Sequence, residues 1–301
     1  MSSRGRSYND DAGACLCSLA LSLVPLPAVA APTEPLVLTP TIKWEINYDK
    51  EACHLFNKFG TGKEEVTLRL TRYQPGDSFD LTLYGQRFKS DSAFAQAELT
   101  FNPIPTQKHL ALVATVQKNL PLLLFSSLDL NGRTKGRDAK TKVDPITPEQ
   151  EGRITGITLK LQHRRPIFLA TGSLRVPLLA MRKCTDDLIH TWGYEPSQLA
   201  RLTNLPEPTV DPGKWIKPTD YPAGAIDRGQ SGDVQFRLEV NPDGTVGNCH
   251  ILYRTNPDKF ADITCKLLSN RGKFLPAKDE AGLPVRWYYI SKVRWLADPP
   301  S

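Results

Sequence analysis

The chain has 301 residues, 40% of them apolar, with a formal net charge of +6. That is enough apolar material for one large domain or two, and it excludes a chain too polar to fold. The positive charge is scattered, as at Arg164-Arg165 and over residues 133–142, so a solvated surface explains it better than a nucleic-acid interface.

Arg4 and Arg6 precede an apolar, uncharged run from Ala12 to Val24. Pro25 and Pro27 break it, and Ala28-Val29-Ala30 has the form of a cleavage site. Residues 1–31 are therefore expected to be a secretory signal peptide, placing the mature chain in the periplasm. The run falls short of the about 20 residues that span a bilayer comfortably. An uncleaved inner-membrane anchor is the alternative.

Residues 32–200 read as a mainly-β domain. Strand-like runs are Thr41 to Asn47, Glu65 to Arg72, Ser78 to Tyr84, Glu98 to Phe101, Leu110 to Val116, Leu122 to Phe125, Ile154 to Leu161 and Ile167 to Ala170. Turn residues separate them, such as Gln74-Pro75-Gly76-Asp77, a pattern that suits an antiparallel sandwich or open barrel. Asn131 to Gln150 is polar and charged and is expected to be an exposed loop. A helix from Leu178 to Trp192 would bury Leu178, Leu179, Leu188 and Ile189, and Gly193 would end it. Pro206, Pro208, Pro212 and Pro218 make residues 201–220 a stiff connector.

From Tyr221 the pattern changes. Asp233 to Val240 alternates polar and apolar residues, as a strand with one buried face does. Asn241-Pro242-Asp243-Gly244 is a hairpin signal, and the return strand runs from Thr245 to Arg254. Asn256-Pro257-Asp258 can cap a helix whose buried side is Phe260, Ile263, Leu267 and Leu268. After Gly272, a long last strand runs from Val285 to Trp295. One of its faces carries Val285, Trp287, Tyr289, Ser291, Val293 and Trp295 and is expected to pack on the helix. The other carries Arg286, Tyr288, Ile290, Lys292 and Arg294 and is expected to be wet. The fold class is therefore α+β: a sandwich-like β domain followed by an α-β-β-α-β unit over 221–301.

Beyond Cys15 and Cys17, four cysteines remain, an even count that argues for disulfides in an exported chain. Three pairings are open. The second hairpin strand must pack on the helix after it, which favours Cys249–Cys265 and leaves Cys53–Cys184. The latter would close a loop of roughly 130 residues, worth about 4–5 kcal/mol in the chain-entropy picture. No metal pattern or cofactor-binding motif is present, and no nucleophile elbow, Walker loop or zinc-protease motif. His250, the Asp186-Asp187-His190 group, and Asp77 with Asp80 are better explained as local pairs and turn residues than as catalysts.

Several marks, in order and at their spacings, resemble the TonB C-terminal domain family. They are Tyr221-Pro222 with Ala225, Gly232, Val240-Asn241-Pro242-Asp243-Gly244-Thr245-Val246, Arg271 with Phe274-Leu275-Pro276-Ala277, and Gly282-Leu283-Pro284-Val285. They cover residues 221–295 only. The resemblance implies capture of an extended segment by strand addition at Trp287 to Val293, with a TonB-dependent outer-membrane receptor as the implied partner. Peptide-binding residues would then be Tyr221, Pro222, Arg286, Trp287, Tyr288, Tyr289, Ile290, Lys292 and Arg294. The chain departs from a TonB transducer in its cleavable-looking start and its short connector. A non-enzymatic periplasmic binding protein is the leading reading. A membrane-tethered transducer and an enzyme with its site in the β domain are the alternatives.

Overall fold

Apolar residues at every second position turn one face of each early strand inward. In the computed structural model, which describes residues 34–116, 119–130, 146–255 and 258–297, this region forms ten strands. They are β1 (Leu36–Leu38), β2 (Glu45–Tyr48), β3 (Cys53–Phe59), β4 (Val66–Arg72), β5 (Phe79–Tyr84), β6 (Phe94–Asn102), β7 (Gln107–Val116), β8 (Leu120–Leu128), β9 (Gly156–Leu161) and β10 (Ile167–Leu169). Of these, β3, β4 and β6 show the pattern most clearly. The expected signal peptide, and most of the loop expected at 131–150, lie outside the described residues.

The ten strands form one sheet in the order β1-β10-β9-β6-β7-β8-β5-β4-β3-β2. Three strand spacings separate β5 from β6, which would be about 14 Å in a flat sheet. Yet the rings of Phe79 on β5 and Phe101 on β6 lie 5.9 Å apart, so the sheet is strongly curled. Its two ends also meet. The Gly60 N–H donates to the Thr39 carbonyl at 2.9 Å and the Thr41 N–H to the Lys58 carbonyl at 2.8 Å, joining the chain after β1 to the end of β3. Of the two expected forms, antiparallel sandwich or open barrel, the chain takes the second: one sheet that curls into a barrel and closes on itself. Pairing runs without a break through β9-β6-β7-β8-β5, leaving nowhere for the sheet to split.

Inside lie Leu68, Leu81, Leu83, Leu99 and Phe101, each fully buried. Two helices complete this core. In α1 (Pro148–Arg153), Glu151 is 1% exposed and takes a two-pronged ion pair from Arg182 at 2.6 and 3.0 Å. On α2 (Arg175–Thr191), Leu178, Met181, Cys184 and Leu188 face inward, while Leu179, expected inside, is exposed. Gly193, at φ 79°, ends the helix in the left-handed conformation that glycine tolerates best. Cys184 is bonded to Cys53, tying α2 to β3.

After the short helix α3 (Pro196–Leu199), the proline-bearing connector lies along the C-terminal region. Its β11 (Glu207–Pro208) pairs with residues 274–275, and Thr203 and Thr209 each donate backbone and hydroxyl bonds to residues 273–279. Trp215 is buried against Phe274. The C-terminal region then runs α4 (Ala223–Ile226), β12 (Gly232–Val240), β13 (Val246–Arg254), α5 (Lys259–Arg271), β14 (Phe274–Leu275), β15 (Ala277–Lys278), β16 (Pro284–Val285) and β17 (Trp287–Trp295).

The hairpin forms at the expected turn. Gly244 sits at φ 79°, and a Cβ there would lie 2.1 Å from the Phe274 carbonyl oxygen, so only glycine fits. The sheet order is β13-β12-β17. Cys249 on β13 is bonded to Cys265 on α5. Asp258 precedes α5, but its carboxylate accepts from Arg254 at 2.5 Å and makes no cap bond.

Candidate functional site

β17 is the edge of its sheet. It runs antiparallel to β12 from Gly232↔Trp295 to Val240↔Trp287, and among the described residues no strand pairs with its other side. What remains reachable on it depends on what covers its two faces.

One face packs on α5, largely as the alternation dictates. Tyr289 and Val293 join Phe236, Leu238 and Leu268. Trp295 stacks on Phe260 with centroids 5.5 Å apart, and its indole N–H donates to the buried Thr264 hydroxyl at 3.0 Å. Tyr221 sets its ring edge-on to both, at 5.6 Å from Phe260 and 5.5 Å from Trp295, and its hydroxyl donates to the Gln230 carbonyl. Pro222 is buried beside it, just before α4. Tyr221 and Pro222 therefore sit at the Trp295 end of β17. Trp287 lies eight residues away, about 26 Å along the strand. The expected binding residues do not form one cluster.

The other face corrects the expectation of a wet surface. Tyr288 is 5% exposed, and its ring meets Trp192 at 5.7 Å and Tyr194 at 5.0 Å. Ile290 packs in the same cluster. The Arg294 guanidinium makes two hydrogen bonds to Asp233, at 2.9 and 3.1 Å, and the Lys292 ammonium lies 4.0 Å from the Asp80 carboxylate of β5. Arg286 and Arg294 stay exposed; Arg286 is stacked over Tyr194 at 5.1 Å and lies 3.4 Å from Glu239. Trp287, expected against the helix, instead packs with Ile189, Tyr194 and Ala277. β12 is likewise buried on both sides, with Asp233, Gln235 and Arg237 all under 10% exposed.

Residues Trp192, Tyr194, Glu51 and Asp80 make this second cover, and nothing in their local sequence marks them for it. Arg237 lies 3.9 Å over the Trp192 ring and 4.0 Å from Glu51, and removal from water lowers its pKa. Burial pushes the Tyr194 hydroxyl up to about 12 and raises that of Tyr288 as well. Burial also raises the Asp80 carboxyl, although the Ser127 N–H donates to it at 2.7 Å.

Two cavities open along β17. One of about 310 Å³ touches Val285, Arg286 and Trp287 and is walled by Arg201, Leu202 and Asp279. One of about 200 Å³ touches Ile290, Ser291 and Lys292 and is walled by Asp80 and Gln235. With both faces covered, this part of the molecule offers main-chain hydrogen bonding at one edge, with one cavity at its Trp287 end and one beside its middle. Among the described residues no group of three or more His, Cys, Asp or Glu could hold a metal, and no helix is long and apolar enough to cross a membrane.

Residues 217–296 match the family described as Gram-negative bacterial TonB protein C-terminal. The match agrees with the marks from Tyr221 to Trp295 and covers under a third of the chain, which makes this C-terminal region TonB-like. No curated protein and no solved structure matches the chain.

Proposed function

Taking residues 217–296 as a TonB C-terminal region, we propose that this protein is an exported, non-enzymatic binding protein of the periplasm. It captures an extended segment of an envelope or outer-membrane protein, and a TonB-dependent receptor is the partner that the family suggests. Capture is by strand addition to β17, whose outward main-chain groups supply affinity while neighbouring pockets supply selectivity. The observation that carries this reading is that β17 is a sheet edge with both of its faces already covered.

Of the residues expected to bind, the reading keeps the main chain of Trp287 to Lys292 and the half-exposed Arg286 as contacts. Tyr288 and Tyr289 support the strand from either side, and Tyr221, Pro222 and Arg294 hold its far end. An isotope-labelled chain titrated with peptides from periplasm-facing segments of TonB-dependent receptors provides the test. Amide shifts concentrated at Trp287 to Val293 are expected. Shifts confined to the barrel, or none with any such peptide, would sink the reading.

A further inference from the structure

The smaller cavity lies where the barrel meets the edge strand. Thr71, Asp80 and Ser127 come from the barrel side, Gln235 from β12, and Ser291 and Lys292 from β17. Asp80 is mostly shielded from solvent. One of its oxygens accepts from the Ser127 N–H and lies 4.0 Å from the Lys292 ammonium, and the other accepts no hydrogen bond from the described residues. The cavity thus holds an acceptor with spare capacity, amide and hydroxyl groups in its wall, and opposite charges that offset each other.

We infer that this cavity reads one side chain of the segment captured on β17, and that the side chain it takes is a carboxamide, Gln or Asn. The inference rests on the strand-addition reading above. Successive residues of an added strand point to opposite faces, so only alternate side chains turn toward the barrel. The one that passes Ile290 to Lys292 enters the cavity. A carboxamide donates through its NH2 to the open oxygen of Asp80 and accepts through its carbonyl from the Gln235 amide. A Lys or Glu there would bring an unbalanced charge into a site whose own charges already cancel, and its desolvation would be uncompensated. An alanine would leave the cavity unfilled and the Asp80 oxygen covered without a donor. The barrel then acts as the selective wall for the edge strand.

Calorimetry of the full chain with seven-residue, end-blocked peptides of alternating Val and Thr tests this, with one position carrying Gln, Ala, Lys or Glu. Hydrogen exchange of β17 locates each bound peptide. The Gln peptide is expected to bind about tenfold more tightly than the other three, the worth of one hydrogen bond to a charged group. Asp80→Ala should reduce that preference to within about twofold. Ser78→Trp, which fills the cavity from the turn before β5, should do the same with Asp80 intact, so the result does not hang on one variant's folding. Protection of β17 by all four peptides with equal affinity would overturn the cavity assignment and leave strand capture standing. If no peptide protects β17, both fall.

Discussion

The two faces of the β13-β12-β17 sheet are both buried, but by different means. Toward α5 the cover is apolar and interlocked: Phe236, Leu238, Val240, Phe260, Leu268 and Trp295, with the Cys249–Cys265 bond across it. Toward the barrel the cover is mixed: Tyr288 and Ile290 pack with Trp192 and Tyr194, but the polar groups among them are loosely satisfied. Among the described residues, Arg237 keeps two guanidinium nitrogens without hydrogen bonds, and the Trp192 indole N–H and the Tyr194 hydroxyl find no hydrogen-bond partner. An apolar face gains from burial at roughly 25 cal/mol per Å². A charged face has desolvation to offset and gains little net. The comparison teaches a division of labour: the α5 face holds the C-terminal fold together, while the barrel face fixes where β17 lies and what lines its edge.

The sharpest way to break the comparison is at Phe260, which is fully buried and stacked on Trp295. Phe260→Ala should cost about 3–5 kcal/mol in denaturant unfolding, as large-to-small core changes do. Replacing Cys249 and Cys265 together by serine should cost about 3 kcal/mol, from the loop-closure entropy of their 16-residue separation. On the barrel face, Arg237→Met retains the packing on Trp192 and removes a poorly hydrogen-bonded charge. It should change stability by less than about 1 kcal/mol in either direction. If it costs as much as Phe260→Ala, the contrast between the faces is wrong.

The smallest effect concerns the connector. The hydrogen bond from Arg271 to Asp220 is the main reason that carboxyl is held down to about 2, from an ordinary value of 3.8. A depressed carboxyl contributes stability above its unfolded pKa and loses it as pH falls through the folded value. Melting temperature should therefore drop between about pH 4 and 2, and Asp220→Asn should shallow that drop.

Much of this was readable from residues alone. The hairpin at Asn241 to Gly244 and helix α5 lie where their patterns put them. Both disulfides follow the pairing that strand-on-helix packing favoured. The closing of the ten-stranded sheet was not readable, because it depends on Thr39 and Thr41 meeting Gly60 and Lys58, contacts with no periodic signature. The second face of β17 misled for a definable reason. Asp233, Gln235, Arg237, Lys292 and Arg294 alternate with apolar residues just as solvent-facing side chains do. Arg294 does stay exposed, but Arg237 and Lys292 are covered by groups far off in the chain, Glu51 and Trp192 for the first and Asp80 for the second. Polar matched to polar leaves the alternation unchanged, so the pattern cannot tell a wet face from a docked one. Trp287 shows the limit from the other side, since its alternation is right but it reaches Tyr194 rather than α5.

Native-state hydrogen exchange along β17, without any partner, tests the central claim most directly. If both faces are covered and the outer edge is open, protection should alternate. The amides bonded to β12 should exchange slowly, and those between them, turned outward, should exchange orders of magnitude faster from Trp287 to Val293. Uniformly slow exchange would mean that the edge is already occupied, and uniformly fast exchange would mean that the sheet does not hold β17. Either result would contradict the account.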